Sequence, residues 1–193
     1  MITRQKYQDY INVLKEELIP AMGCTEPIAI AYAGAIAREH LGCLPERVEI
    51  EVSGNIIKNV KSVIVPNTGG LRGIEVAAAA GIVAGDAAKE LKVISEVSTE
   101  AVAVIHKFLE STPITVNFSD SKKILDIMIT VYGNGHSAYV RICEFHTNIV
   151  EIREDYKYVL QKDIAVEDSL GFTDRKFMNV QEIIEFADTA RIE

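Results

Sequence analysis

Met22-Gly23-Cys24-Thr25-Glu26-Pro27 sets a cysteine immediately before an apolar run, Ile28 to Ala37. Thr25 is a good N-cap residue, Glu26 suits the positive end of a helix dipole, and Pro27 is tolerated in a first turn. A helix is therefore expected to begin at Thr25 or Glu26. The Cys24 sulfur then lies near unpaired backbone N–H groups, a setting that lowers a thiol pKa and favours the thiolate. Glu26 acts in the opposite sense, because a carboxylate within one turn disfavours a second anion, and the sequence leaves the net shift open. A free cysteine is more often a small buried hydrophobe. The helix start, and Gly23, which lets backbone approach closely, bring the reactive reading level with that one.

Two further stretches carry chemical groups. Pro66-Asn67-Thr68-Gly69-Gly70-Leu71-Arg72-Gly73 places three glycines and an Asn-Thr pair ahead of a helix expected from Ile74. A glycine-rich loop entering a helix presents backbone N–H groups to an anion. Its letters match neither the phosphate loop GxxxxGK(S/T) nor the dinucleotide fingerprint GxGxxG, so a nucleotide reading fails. What remains is a grip for a substrate carboxylate, or a turn whose glycines only serve positive φ values. Lys58, Lys61 and Arg72 bring positive charge to this stretch. His146-Thr147-Asn148 falls at a bend between two expected strands, either as a solvated turn or with its polar groups toward a cleft, where His146 is suited to carry a proton near neutrality.

GCTEPIA (Gly23 to Ala29), PNTGGLRGIE (Pro66 to Glu75) and HTNIV (His146 to Val150) together resemble the L-cysteine desulfidase family, which is related to the iron–sulfur L-serine dehydratases. The resemblance runs along most of the chain. It implies an oxygen-sensitive lyase with a 4Fe–4S cluster that splits L-cysteine into sulfide, ammonia and pyruvate, with Cys24 as a catalytic residue. By the same resemblance His146 is a catalytic proton carrier. Thr25 and Glu26, Asn67, Thr68, Gly69, Gly70 and Arg72, and Thr147 and Asn148 line the substrate site, the loop residues holding the carboxylate. Family members are about twice as long, and their cluster cysteines lie in a C-terminal half with no counterpart here. The expected partners are thus a small amino acid and that second half, in cis or in trans, with no metal ligand from this chain. L-serine dehydration, a non-catalytic amino-acid-binding or regulatory domain, and a structural oligomerisation domain stand as alternatives.

Composition agrees with a globular protein: 193 residues, 48% hydrophobic and 25% charged, give ample material for a core and one domain, 1–193, by default. A net charge of −8 without a Lys/Arg cluster argues against a nucleic-acid surface. The longest apolar run is about half of what a membrane-spanning helix needs, and the N-terminus lacks the pattern of a secretory signal, so a cytoplasmic protein is expected. Cys24, Cys43 and Cys143 are odd in number and widely spaced, which suggests neither a disulfide framework nor a zinc ribbon. Cys43 and Cys143 read as structural.

The elements that must position these groups follow from periodicity. Helices are expected over about 4–18, 26–41, 75–88, 99–110 and 180–190, with a short helical turn near Ile56 to Val60. Strands are expected at Arg47–Val52, briefly at Val63–Val65 and Val93–Glu96, and then at Ile114–Phe118, Leu125–Tyr132, His136–Phe145, Asn148–Arg153 and Tyr156–Leu160. Gly133-Asn134-Gly135 makes a hairpin. A polar stretch is expected over Gln161 to Lys176. The abrupt end at Glu193 is expected where a further domain follows. The fold class expected is α+β: an N-terminal helical layer holding Cys24 and the glycine loop, packed on a mainly antiparallel sheet from residues 114 to 160.

Overall fold

Eleven consecutive residues of helix α2 (Thr25–Leu41), Pro27 to Ala37, are buried, because alanine and isoleucine leave no polar side chain to face water. The helix stops where Gly42 adopts the left-handed conformation (φ 77°) and returns its amide to the Arg38 carbonyl. It follows α1 (Arg4–Glu17) and precedes β1 (Arg47–Val52) and the short α3 (Gly54–Val60). Residues 2–164 and 173–190 are described here by a computed structural model. The middle of the polar stretch expected over Gln161 to Lys176, and the end at Glu193, lie outside them.

Helix α4 (Ile74–Ala84) packs against α2 with its backbone in direct contact. A Cβ placed on Gly81 would lie 1.9 Å from the Ala31 carbonyl oxygen, and one on Gly34 would lie 3.0 Å from that of Ala78. The expected helix to about residue 88 ends early. Gly85 turns extended (φ −74°, ψ 143°), wedged where a Cβ would meet Ala35 at 2.9 Å, and Asp86 then caps a 3-10 segment, Ala87–Lys92, by accepting from the Ala88 amide. The extended piece expected at Val93–Glu96 is a turn, closed by the Asp86 amide on the Val93 carbonyl. Helix α5 (Thr99–Ser111) starts at Ser98, whose hydroxyl accepts from Ala101 N.

The sheet contains β1, β2 (Ile114–Phe118), β3 (Asp126–Gly133), β4 (His136–Cys143), β5 (Ile149–Glu154) and β6 (Lys157–Gln161), in the order β2-β1-β3-β4-β5-β6. Only the β1–β2 pair is parallel. The α+β class and the mainly antiparallel sheet are as expected; β1, from before the 114–160 segment, takes the place between β2 and β3. Alternate residues Val48, Ile50, Val52, Ile127, Ile129, Val131, Ala138, Val140 and Ile142 are fully buried on one face, and α2 lies against β3 and β4. The other face carries half-buried Glu49, Thr130, Tyr132, Tyr139 and Arg153. The short strand expected at Val63–Val65 reduces to a single bridge, Ile64 to Arg72.

The chain divides into two compact units, Pro20–Ile164 and a second made of Met1–Ile19 with Ala165–Glu193. In the second, α1 and α6 (Val180–Thr189) meet through Tyr7, Tyr10 and Phe186, with ring centroids 5.0 and 5.1 Å apart, and Lys6 pairs with Glu182 at 2.6 Å. All the candidate site residues belong to the first.

Candidate functional site

The N-cap of α2 is Cys24 itself, not Thr25. Its backbone is extended (φ −68°, ψ 126°), which the left-handed Gly23 before it allows, and Thr25 becomes the first helical residue. The thiol does not cap the helix. It donates instead to Glu26 Oε2 at 3.2 Å, and the Thr25 hydroxyl lies 3.4 Å from the same oxygen. The other Glu26 oxygen accepts from Asn59 Nδ2 at 3.1 Å, which brings in α3.

These surroundings shift the proton affinities of Cys24, Glu26 and His146. Partial desolvation of the sulfur, and then the hydrogen bond to Glu26 and its charge, push the Cys24 thiol above its ordinary range. The helix end therefore does not make it a thiolate. Desolvation also pulls the Glu26 carboxyl upward. The Cys24 thiol, the residue's own amide, Asn59 and the His146 ring outweigh it, and Glu26 ends below the usual carboxylate range. His146 is held below its ordinary value by burial, against the pull of Glu26. The site at neutral pH is thus a protonated thiol, a carboxylate and a neutral imidazole whose Nε2 is buried with no hydrogen-bond partner among the described residues.

The second motif touches the first at Gly23, where an added Cβ would lie 3.4 Å from the Pro66 ring. Most of its polar groups hold the loop itself. Asn67, at φ 57°, gives its amide to the Ile94 and Ser95 carbonyls (3.1 and 3.2 Å), and the fully buried Thr68 donates its hydroxyl to Val65 O at 2.8 Å. Gly69 and Gly70 are exposed at φ 73° and 92°, and exposed Arg72 reaches the Ser62 carbonyl at 3.3 Å. In the third motif Asn148 closes the turn by donating to Cys143 O at 2.9 Å, and Thr147 sits half-buried beside it. Glu144 opens that turn at φ 68°, which ends β4 two residues before the expected Phe145.

The structure therefore joins Cys24, Thr25 and Glu26, brings His146 within range of the Glu26 charge, sets Pro66 of the glycine loop beside Gly23, and adds Asn59. That residue had only a polar position on a short helix to mark it, and no local pattern pairs it with Glu26. The three thiols sit on different elements: Cys24 exposed, Cys43 half-buried after α2, Cys143 buried at the end of β4. No group of three His, Cys, Asp or Glu among the described residues is placed to hold a metal ion. Likewise, no described helix is long and apolar enough to cross a membrane.

No protein-family model matches the chain. It is homologous along its length to UPF0597 proteins: 52% identical over 187 residues to one from Desulfitobacterium hafniense, covering 97% of this chain and 44% of that protein. A UPF0597 protein of Treponema denticola is 42% identical over 193 residues (100% of this chain, 45% of the relative), and one of Fusobacterium nucleatum 40% over 189 residues (97% and 44%). The chain spans less than half the length of these relatives.

Proposed function

We propose that the chain is the substrate-handling portion of a lyase of the L-cysteine desulfidase type. The observation that carries this reading is the convergence on Glu26: Cys24 and Asn59 hydrogen-bond its two oxygens, the His146 ring feels its charge, and Pro66 of the glycine loop comes up to Gly23 beside the same helix mouth. Elimination from L-cysteine requires that the α-proton be taken up and that the leaving sulfide be protonated. Glu26, ionised and hydrogen-bonded to Cys24, supports a two-member acceptor in which the thiol relays a proton to the carboxylate. His146, neutral and with a free buried nitrogen, supports the second transfer. Asn67 and Thr68 shape the loop, which leaves the exposed Gly69–Gly70 backbone and Arg72 to meet the substrate carboxylate.

The resemblance implies a 4Fe–4S cluster. The residues present do not fit one, because the three thiols are dispersed over separate elements, so no step assigned to this chain passes through it. Its ligands would come from outside these residues. The test is anaerobic: combine the chain with the remaining segment of the Desulfitobacterium hafniense relative, supply iron and sulfide, and follow pyruvate and sulfide from L-cysteine, with L-serine in parallel. Activity that falls at least a hundredfold in Cys24→Ala and Glu26→Gln is expected. Full rate in Cys24→Ala overturns the assignment, and faster turnover of L-serine changes the leaving group to hydroxide. Binding of either amino acid without turnover, unchanged in Cys24→Ser, replaces the lyase by an amino-acid-binding domain.

A further inference from the structure

Two walls of the site lie outside α2: helix α3, which carries Asn59, and the turn after β4, which carries His146. Both are fastened to three consecutive residues, 124–126. Ser53, the N-cap of α3, donates its amide to Asp126 O at 3.0 Å and its hydroxyl to Ile124 O at 2.7 Å. On the other side Cys143 pairs with Asp126 across the sheet, and Glu144, the first residue of the His146 turn, donates its amide to Leu125 O at 3.0 Å. A Lys123–Glu144 ion pair adds a further tie to that turn.

Asp126 itself is fully buried. Its two oxygens take a fork from Arg141, Nε at 2.9 Å on Oδ1 and Nη2 at 2.7 Å on Oδ2. Arg141 is opposite Met128 in the register, so the fork runs diagonally along the strands to reach Asp126. A buried ion pair is rarely the most stable filling for a sheet, since desolvation offsets its Coulomb gain. What a two-bond, planar fork provides is geometry: it is satisfied in one register and in one strand approach. Here that register decides where the segments flanking 124–126 arrive.

We propose that Asp126–Arg141 is a positioning pair, which locks the β3–β4 register at the rim of the site and so holds Asn59 on Glu26 and the His146 turn in its buried place. The pair touches none of these side chains. It acts through the Ser53 cap and the Glu144 turn, and it rests on the proposed function only for what the positioned groups do.

The test reads His146 directly and needs no turnover. Imidazole titrations are followed by NMR in the full chain, in Asp126→Asn and in Arg141→Lys, the latter keeping the charge and losing the fork; His146→Gln identifies the signal among the four histidines. The expected result is a His146 midpoint displaced upward toward its ordinary 6.5 as the turn opens to water, with far-UV circular dichroism unchanged. An unmoved His146 midpoint in the folded variants overturns the proposal. So does a loss of far-UV circular dichroism, or failure of both variants to fold, because the pair then holds the fold and not the site. If His146 shifts as expected while the wild-type assembly shows no lyase activity, the proposed function falls and the positioning role stands.

Discussion

Glu26 acts on its neighbours in two senses: it keeps the Cys24 proton in place and draws a proton toward His146. Glu26→Gln removes the anion and leaves the shape. The thiol pKa is then expected to fall toward its ordinary value, and alkylation of Cys24 by iodoacetamide at pH 8 to run a few times faster than in wild type. An unchanged rate would show that desolvation alone sets the thiol. His146 gives a second prediction, whose sign follows from linkage. Its folded pKa lies below 6.5, so below that pH the unfolded chain binds the proton more readily. Stability is therefore full above pH 6.5 and is lost as the pH falls through the lowered value. Thermal midpoints of wild type and His146→Gln measured from pH 7.5 to 5 should show a shallower acid-side loss in the variant. At this scale the sequence showed a cysteine at a helix mouth, because Thr, Glu and Pro mark a first turn. It did not show the direction of the thiol shift, since the largest cause, desolvation of the sulfur, depends on what the fold packs around the helix mouth.

Among the elements, the α2–α4 contact carries the sharpest prediction. Alanine is the better helix former, by about 1 kcal/mol over glycine. A Cβ on Gly81 would nevertheless stand 1.9 Å from the Ala31 carbonyl oxygen, so the two backbones must separate. Gly81→Ala is expected to lose at least about 2 kcal/mol by urea denaturation, the range of an overpacked core; a gain in stability would mean the helices part without cost. The small residues of Ala77 to Gly81 already announced a close helix partner, and the Asn134–Gly135 pair announced the β3–β4 hairpin. The early end of α4 was not legible. Ala87 and Ala88 are good helix formers, and it is the wedge of Gly85 against Ala35, with the Asp86–Val93 closure, that stops the helix.

At the scale of the whole molecule, the six-stranded sheet and its apolar core draw only on residues 20–164. A chain cut to these residues is expected to keep one cooperative thermal transition and the Cys24–Glu26 coupling; a broad, non-cooperative melt would show that α1 and α6 complete the core. The polar stretch over Gln161 to Lys176 was legible in the sequence, but the grouping of the two terminal segments was not, because they lie at opposite ends of the chain. The class and the β3–β6 meander were legible from alternation and short turns. The place of β1 was not, because its pairing with β3 and β2 joins segments that no local pattern connects.

The place of β1 between β2 and β3 also sets an order in time. Strands β3 to β6 follow one another through short turns and close at little entropic cost, whereas β1 is made before α3, α4, α5 and β2 and has no partner until β2 and β3 exist. A ribosome adds about 5–20 residues per second, so β1 and the alanine–isoleucine surface of α2 wait several seconds for the strands that cover them. During synthesis this chain exposes the apolar surface of α2 before the strands that cover it exist, which makes α2 a segment a nascent-chain chaperone would meet.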